Sequence, residues 1–140
     1  GYRSWKSDLT SDYTMLESGL ERWVNFGKDD FTGRTALMAE HQAGAKRQFV
    51  TLTVDDPADG ETFGEAVYLS TVLVNDAPAG LVVSAGYGHR VGASIAMAVI
   101  DTEVLVDGAA VAVDVLGRTR HAQIVEGNAL YDASNTRLKV

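Results

Sequence analysis

Three histidines, His41, His89 and His121, are the side chains best suited to hold a metal or move a proton, and they lie far apart. None stands beside a second ligand at metal-binding spacing. The chain contains no cysteine, which removes disulfides, thiolate zinc sites, iron–sulfur clusters and a thiol nucleophile. Ser84-Ala85-Gly86 and Ser94 lack the G-x-S-x-G frame of an exposed serine nucleophile. Asp55-Asp56-Pro57-Ala58-Asp59-Gly60 carries enough carboxylates to suggest a calcium loop, but a helix–loop–helix site needs helical flanks, and these flanks read as strands. It reads as a solvated turn. Gly86-Tyr87-Gly88-His89-Arg90-Val91-Gly92 has three glycines in seven residues. Such density serves either a barrel corner or close approach of the backbone to a ligand. It lacks G-x-G-x-x-G spacing and a following helix, so no dinucleotide fingerprint is present. Tyr2, Arg3 and Trp5, with Trp23 and Lys28 further on, could stack a flat heterocycle and hold its carboxylates. The competing reading is core aromatics beside solvated charges.

The elements that would position these residues fall into two textures. With 140 residues the chain has the length of one domain, and 46% hydrophobic residues are enough for a core. A net charge of −7 disfavours nucleic acid, whose affinity comes from neutralised phosphates. No apolar run approaches a membrane span, and no charged-then-apolar leader opens the chain. Gly1 stands where an initiator Met would, so the sequence reads as a piece of something longer. In the first 47 residues, Thr14-Met15-Leu16-Glu17 fits a capping box that Gly19 stops after about one turn. Leu20–Phe26 is rich in β-formers, with Leu20, Val24 and Phe26 on one side if extended. Gly27-Lys28-Asp29-Asp30 is a turn, and a helix runs from Gly33 or Arg34 to Ala43 with Gly44 as its stop. From Arg47 onward the period becomes two. Strands are expected at Gln48–Val54, Glu65–Leu69, Thr71–Val74, Gly80–Ser84, Ser94–Ile100, Ala109–Leu116 and Thr119–Val125, with Asn75-Asp76 turning toward the strand at Gly80 and a tight turn at Gly117-Arg118. Short strands at this spacing suggest a sandwich or a closed barrel, and their alternation would place every second side chain in an apolar interior. The glycine-rich segment should supply at least one positive φ at a strand junction.

At this point a resemblance enters. GYRSWKSDLTSDYTMLESGLERWVNFGKDDFTGRTAL is similar to the middle-to-late part of the aminomethyltransferase (glycine cleavage T-protein) superfamily. SAGYGHRVGASIAMAVI and the ending NALYDASNTRLKV resemble the C-terminal region of dimethylglycine and sarcosine dehydrogenases or oxidases, in which an FAD-linked amine-oxidising portion is fused to a folate-binding portion. The resemblance implies a mainly β, α+β fold. Residues 1–45 would be the C-terminal remnant of a folate-binding domain, and residues 46–140 a six-stranded, Greek-key-like antiparallel β-barrel.

The function it implies is one-carbon transfer. The whole enzyme would oxidise an N-methyl amine on a flavin held upstream and pass the methylene unit to tetrahydrofolate. This chain would close the folate site and alone be inactive. An acidic residue in an R-L-E motif that contacts the pterin, and the aspartate that assists transfer, both belong upstream of Gly1. The resemblance assigns Trp5 to the position of a family tyrosine and Lys28 to that of a folate-contacting arginine, with the charge kept and the fork lost. Tyr131 aligns loosely with a folate-site tyrosine, Arg137 stands nearby, and Tyr87 and His89 belong to the subgroup's GYGH signature. The family proline after Thr14 is Met15 here, and the one before Leu130 is Ala129. The implied partners are folate and an N-methyl amine, with a second copy of the chain as a further candidate and no nucleic acid or membrane. The implied location is the cytoplasm of a bacterium or the mitochondrial matrix. The alternatives are a flavin-free demethylase or aminomethyltransferase, a folate-binding module of a maturation protein, and a barrel that only closes a cleft or builds an interface.

Overall fold

The computed structural model describes residues 3–56, 64–134 and 136–137. Tyr2 and the Pro57-Ala58-Asp59-Gly60 part of the acidic turn lie outside the described residues. One helix, α1 (Arg34–Ala43), precedes six strands: β1 (Arg47–Val54), β2 (Thr71–Val74), β3 (Ala77–Gly88), β4 (Ala93–Asp101), β5 (Val111–Val115) and β6 (Arg118–Ile124). They form a closed barrel in the order β1-β4-β3-β2-β5-β6, and every pairing is antiparallel.

Alternation fills the lumen. Val50, Leu52 and Val54 of β1 meet Ala96, Ala98 and Ile100 of β4, with Val72, Val82, Val113 and Val115 completing a single packed cluster. Alanines and valines suit the narrow interior of six strands. The closest approach is at Gly80, where a Cβ would stand 2.3 Å from the Val99 carbonyl oxygen, so only glycine lets β3 and β4 meet there. One register shift between Val82 and Ser84 puts an extra residue into β3. Val82 joins the lumen cluster and Val83 an outer one with Phe49 and Val99, flanked by Tyr13 and Met97.

Barrel closure leaves one unfinished edge. β6 pairs with β1 only from Leu52 to Val54, so residues 47–51 present backbone groups that β6 does not reach. Other segments supply their partners. The Phe49 N–H donates to the Glu17 carbonyl at 2.9 Å. The Phe49 carbonyl accepts from Asn128 Nδ2 at 3.4 Å, and the Thr51 N–H donates to Asn128 Oδ1 at 2.6 Å. The Val125 N–H donates to the Thr51 carbonyl at 2.8 Å. The N-terminal segment and the C-terminal tail thus share one edge of β1.

Glu17 fixes the first of these seams. The capping box is reciprocal: the Thr14 N–H donates to Glu17 Oε2 and the Glu17 N–H to Thr14 Oγ1, both at 3.1 Å. Gly19, at φ +64°, ends the single turn. The same carboxylate accepts Arg47 Nε at 2.9 Å and Nη2 at 3.2 Å, a two-pronged pair across the seam. α1 begins after Gly33 and stops at Gly44, both at positive φ, as the sequence predicts.

Three expectations are corrected. Leu20–Phe26 is not extended: Glu21–Trp23 forms a 3-10 turn, because β-formers without a neighbouring strand have no ladder to join. Glu65–Leu69 is not a strand either. The Ser70 hydroxyl accepts the Val67 N–H, and Leu69 turns the chain at φ +69°. The β5–β6 turn sits one residue earlier than read, on Leu116 and Gly117 at φ +54° and +85°, the positive pair a tight hairpin requires. The Asn75-Asp76 turn has the same character and stands where expected, at φ +49° and +64°.

The Glu17 seam is acid-sensitive. Burial pushes the Glu17 carboxyl up, but the Arg47 guanidinium and the Thr14 N–H together hold it below its ordinary value of 4.5. A depressed folded-state value means the stabilisation is full above the ordinary carboxylate range and is lost as pH falls through the lower, folded-state value. Glu17→Gln should remove about 1.5–3 kcal/mol from docking of the N-terminal segment. Amide exchange of Phe49 reads this directly. It should quicken in the variant, and its acid sensitivity should flatten; an unchanged Phe49 amide would show that the seam is held elsewhere.

Candidate functional site

Alanines and valines pack the lumen into one buried cluster, so a site is sought on the rim, the loops or the tail. The tail supplies it. Asn128, at φ +59° and bonded to β1, turns the chain out of the barrel. Asp132, at φ +47°, curls it back: its carboxylate accepts the Thr136 N–H at 2.9 Å, the Thr136 hydroxyl at 2.8 Å and the Arg137 N–H at 2.9 Å. Arg137 therefore returns to Tyr131, with Nη1 donating to the phenol oxygen at 2.9 Å. From the other side Arg90 Nη1 donates to the same oxygen at 2.7 Å. The two guanidinium carbons also stand 5.0 Å and 5.3 Å from the ring centroid.

Arg90 is carried by the β3–β4 turn. The glycine-rich segment is mostly strand: β3 runs on through Gly88, paired to Ala93, instead of ending near Ser84. The turn is confined to His89–Gly92, closed by the Val91 and Gly92 N–H groups on the Gly88 carbonyl at 2.9 and 2.8 Å. Gly92 has φ +68°, whereas Gly86 and Gly88 do not leave ordinary backbone space. The expected positive φ is thus present once, at the junction into β4.

The electrostatics of the cluster follow from its donors. Hydrogen bonds from Arg90 first, then Arg137, stabilise a phenolate, and Tyr131 is held below the usual tyrosine value of 10.0. Tyr13 goes the other way. Its burial beside the barrel raises it despite Arg47 nearby.

Of the residues singled out from the sequence, the structure brings together Tyr131 with Arg137, and Tyr87 with His89. The second pair meets edge to face, with ring centroids 5.1 Å apart. Trp5 is 82% exposed and Lys28 is also exposed. No hydrogen bond or ring contact among the described residues joins either of them to Tyr131. Trp23 stands in solvent with the Arg22 guanidinium 5.0 Å from its ring. His41 stacks on Phe26 at 4.4 Å and bonds Glu21 at 2.9 Å, and no three metal-ligating residues cluster among the described residues.

Sequence reasoning missed two arginines. Arg90 lay inside the glycine-rich segment, but its partner is 41 residues away and no spacing rule announces it. Arg120, alternating inward on β6, is buried; its Nε donates to the Asp55 carbonyl at 2.6 Å and Nη1 to that of Gly64 at 3.4 Å, with Asp56 3.6 Å from Nη2. It ties the start of the β1–β2 connection, at Asp55, to Gly64 further along it. Nearby in sequence, Glu65 accepts the buried Ser94 hydroxyl.

Comparison with known proteins adds to this geometry. Residues 47–132 match the family described as the glycine cleavage T-protein C-terminal barrel domain. The chain is 32% identical to a mitochondrial dimethylglycine dehydrogenase of Rattus norvegicus, over 99% of this chain and 16% of that protein. It is 34% identical to an aminomethyltransferase of Moorella thermoacetica, over 85% of this chain and 31% of that protein. An aminomethyltransferase of Mycobacterium avium is also 34% identical, over 89% and 33%. The chain thus spans about a sixth to a third of the length of these curated relatives. Among solved structures, the glycine cleavage system aminomethyltransferase T from Bartonella henselae superposes with a TM-score of 0.69 at 23% identity, over 85% of this chain and 32% of that one, and shares the fold. No helix among the described residues is long and apolar enough to cross a membrane.

The phenol cluster has a direct spectroscopic test. Ultraviolet titration should show one tyrosine ionising below 10.0, the usual tyrosine value, and Tyr131→Phe should remove that phase alone. A titration in which Tyr131→Phe removes a tyrosine of ordinary behaviour would show that the two arginines do not reach the phenol in solution.

Proposed function

The chain belongs to the glycine cleavage T-protein family as its C-terminal barrel domain, and from that premise we propose that it closes the folate site of a one-carbon enzyme of the dimethylglycine or sarcosine dehydrogenase kind. In this reading residues 1–45 complete a folate-binding domain and residues 46–140 are the barrel domain that caps it. The whole enzyme passes a methylene unit from an N-methyl amine to tetrahydrofolate. The observation that carries the reading is the convergence of Tyr131 and Arg137 in a tail held on β1, beside the hairpin that carries Tyr87 and His89.

The residues present fit one end of a folate. Guanidinium donors suit an acidic ligand, and the exposed Trp5 ring offers an aromatic one a face for stacking. Lys28 adds a compact positive charge on the same N-terminal segment. Tetrahydrofolate supplies the acceptor nitrogen for the one-carbon unit. This chain's own side chains bind, orient and shield. The pterin's donors call for an acidic partner, which the family's R-L-E motif upstream would provide. An FAD does not fit here. Gly86–Gly92 forms a strand and a hairpin turn, without the strand-to-helix turn that cradles a pyrophosphate, so no step on this chain runs through flavin.

A flavin-free aminomethyltransferase is the second reading, favoured by the 34% identity to the Moorella protein. Coverage of 99% of the chain by the dehydrogenase favours the first. A folate-binding maturation protein differs from both in lacking turnover. Either compartment, bacterial cytoplasm or mitochondrial matrix, suits the reading.

Calorimetric titration of tetrahydrofolate into the 140-residue chain, beside a chain extended upstream through the R-L-E segment, tests the proposal. Loss of one charge-assisted bond to the pterin costs about 1.5–3 kcal/mol, or about one to two decades of affinity. The short chain should therefore bind weakly and the extended one at least tenfold more tightly. Equal submicromolar binding would put the site in the wrong part of the molecule, and no binding by either would overturn the folate reading.

A further inference from the structure

Deepening the folate reading on which it rests, we propose that Arg90 completes with Arg137 a carboxylate clasp, in which an acidic group of the ligand takes over the two guanidinium donors from the Tyr131 hydroxyl. The site is assembled from distant segments. Arg90 comes from the His89–Gly92 turn and Arg137 from the tail curl made by Asp132, and their Nη1 atoms meet at one oxygen, at 2.7 and 2.9 Å. Two cations brought to a single neutral acceptor repel each other, and one phenol oxygen can take only a fraction of a guanidinium's five donors. A carboxylate offers two oxygens and about four lone-pair sites, the geometry that guanidinium forks take in pairs.

The surroundings point to an anion. The chain carries a net charge of −7, so two arginines held together mark a local reversal of sign that concentrates acidic ligands. The carboxylate beside them, Asp132, accepts hydrogen bonds from the Thr136 N–H and hydroxyl and the Arg137 N–H, and thereby shapes the curl. Arg90 and Tyr131 are exposed, so a ligand reaches both without rearrangement of the barrel. The phenol acts as a placeholder. It holds the two guanidiniums near each other in the free protein and yields them to a better acceptor, which lowers the ordering cost of binding.

The ligand class is an oligocarboxylate, either free or as the acidic tail of a larger molecule, and the test separates these from a generic anion effect. The 140-residue chain and its Arg90→Ala, Arg90→Lys and Tyr131→Phe variants are titrated with tri-γ-glutamate, and with sodium sulfate at matched ionic strength. Binding is followed by NMR of the tyrosine rings, and Tyr131 ionisation by ultraviolet titration. Arg90 lies in an exposed turn, so barrel melting stays unchanged in all variants and serves as the folding control.

Tri-γ-glutamate should bind the wild type, and bind Arg90→Ala about tenfold more weakly, the loss expected for one charge-assisted pair. Arg90→Lys should fall between, since a point charge lacks the fork. Tyr131→Phe should weaken binding less than Arg90→Ala does, because the phenol orders the guanidiniums but is displaced by the ligand. Saturating tri-γ-glutamate should return Tyr131 ionisation toward that of an ordinary tyrosine. Arg90→Ala with unchanged affinity, a Tyr131 titration indifferent to the ligand, or sulfate as effective as tri-γ-glutamate would each overturn the clasp. Tetrahydrofolate is absent from this experiment. A clasp that binds tri-γ-glutamate through Arg90 therefore stands even if the folate titration fails, and a working folate titration does not rescue a clasp that fails here.

Discussion

The backbone edge of β1 between Arg47 and Thr51 is the constraint from which the rest of the structure follows. Six strands close into a barrel, yet β6 reaches β1 over only Leu52–Val54. Four backbone groups at Phe49 and Thr51 would otherwise stay unpaired on the flank of a buried strand, and each such loss costs about 1–3 kcal/mol. Glu17, Asn128 and Val125 satisfy them. The N-terminal segment and the tail are therefore docked by the same unfinished ladder, and the side chains they carry gain fixed positions from it. Arg47, at the start of the strand, adds its two-pronged hold on Glu17 and lies 4.9 Å from the Tyr13 ring centroid.

A filled lumen then determines where function can reside. Ala96, Ala98 and the facing valines leave the barrel interior to packing, and Arg120 is held by the Asp55 and Gly64 carbonyls within the β1–β2 connection. What remains for binding is whatever projects from the rim: the β3–β4 turn, the tail and the exposed N-terminal aromatics. These belong to different stretches of sequence, and the barrel registers them against one another. The chain itself covers about a sixth to a third of the length of its curated relatives.

Local rules made much of this legible. The capping box at Thr14 and Glu17, the glycine limits of α1 and the paired positive-φ turn at Asn75-Asp76 are each decided by a few neighbouring residues. The closed barrel was legible from alternation together with the family resemblance. Where a choice depended on a distant partner, the sequence was silent or misleading. Trp23 and Val24 are good β-formers, but no strand among the described residues pairs with them, and Glu21–Trp23 takes a 3-10 turn. Glu65–Leu69 alternates acceptably, yet Ser70 and Val82 bond its backbone into a turn. Tyr131 and Arg137 were singled out through the resemblance and the structure brings them together, while the Arg90 contact was hidden because it exists only once the tail has been laid on β1.

If the edge of β1 places the site, then Asn128 governs a phenol it never touches. Its side chain accepts the Thr51 N–H at 2.6 Å and donates to the Phe49 carbonyl at 3.4 Å, three residues before the tail reaches Tyr131. The most direct measurement is the ultraviolet titration of Tyr131 in Asn128→Ala, with Arg90, Tyr131 and Arg137 all intact. The account predicts that the tail leaves β1, Arg90 parts from the phenol, and Tyr131 ionisation moves up toward that of a free tyrosine. An unshifted Tyr131 in that variant would contradict it, and would mean that the two arginines hold the tail without the barrel's edge.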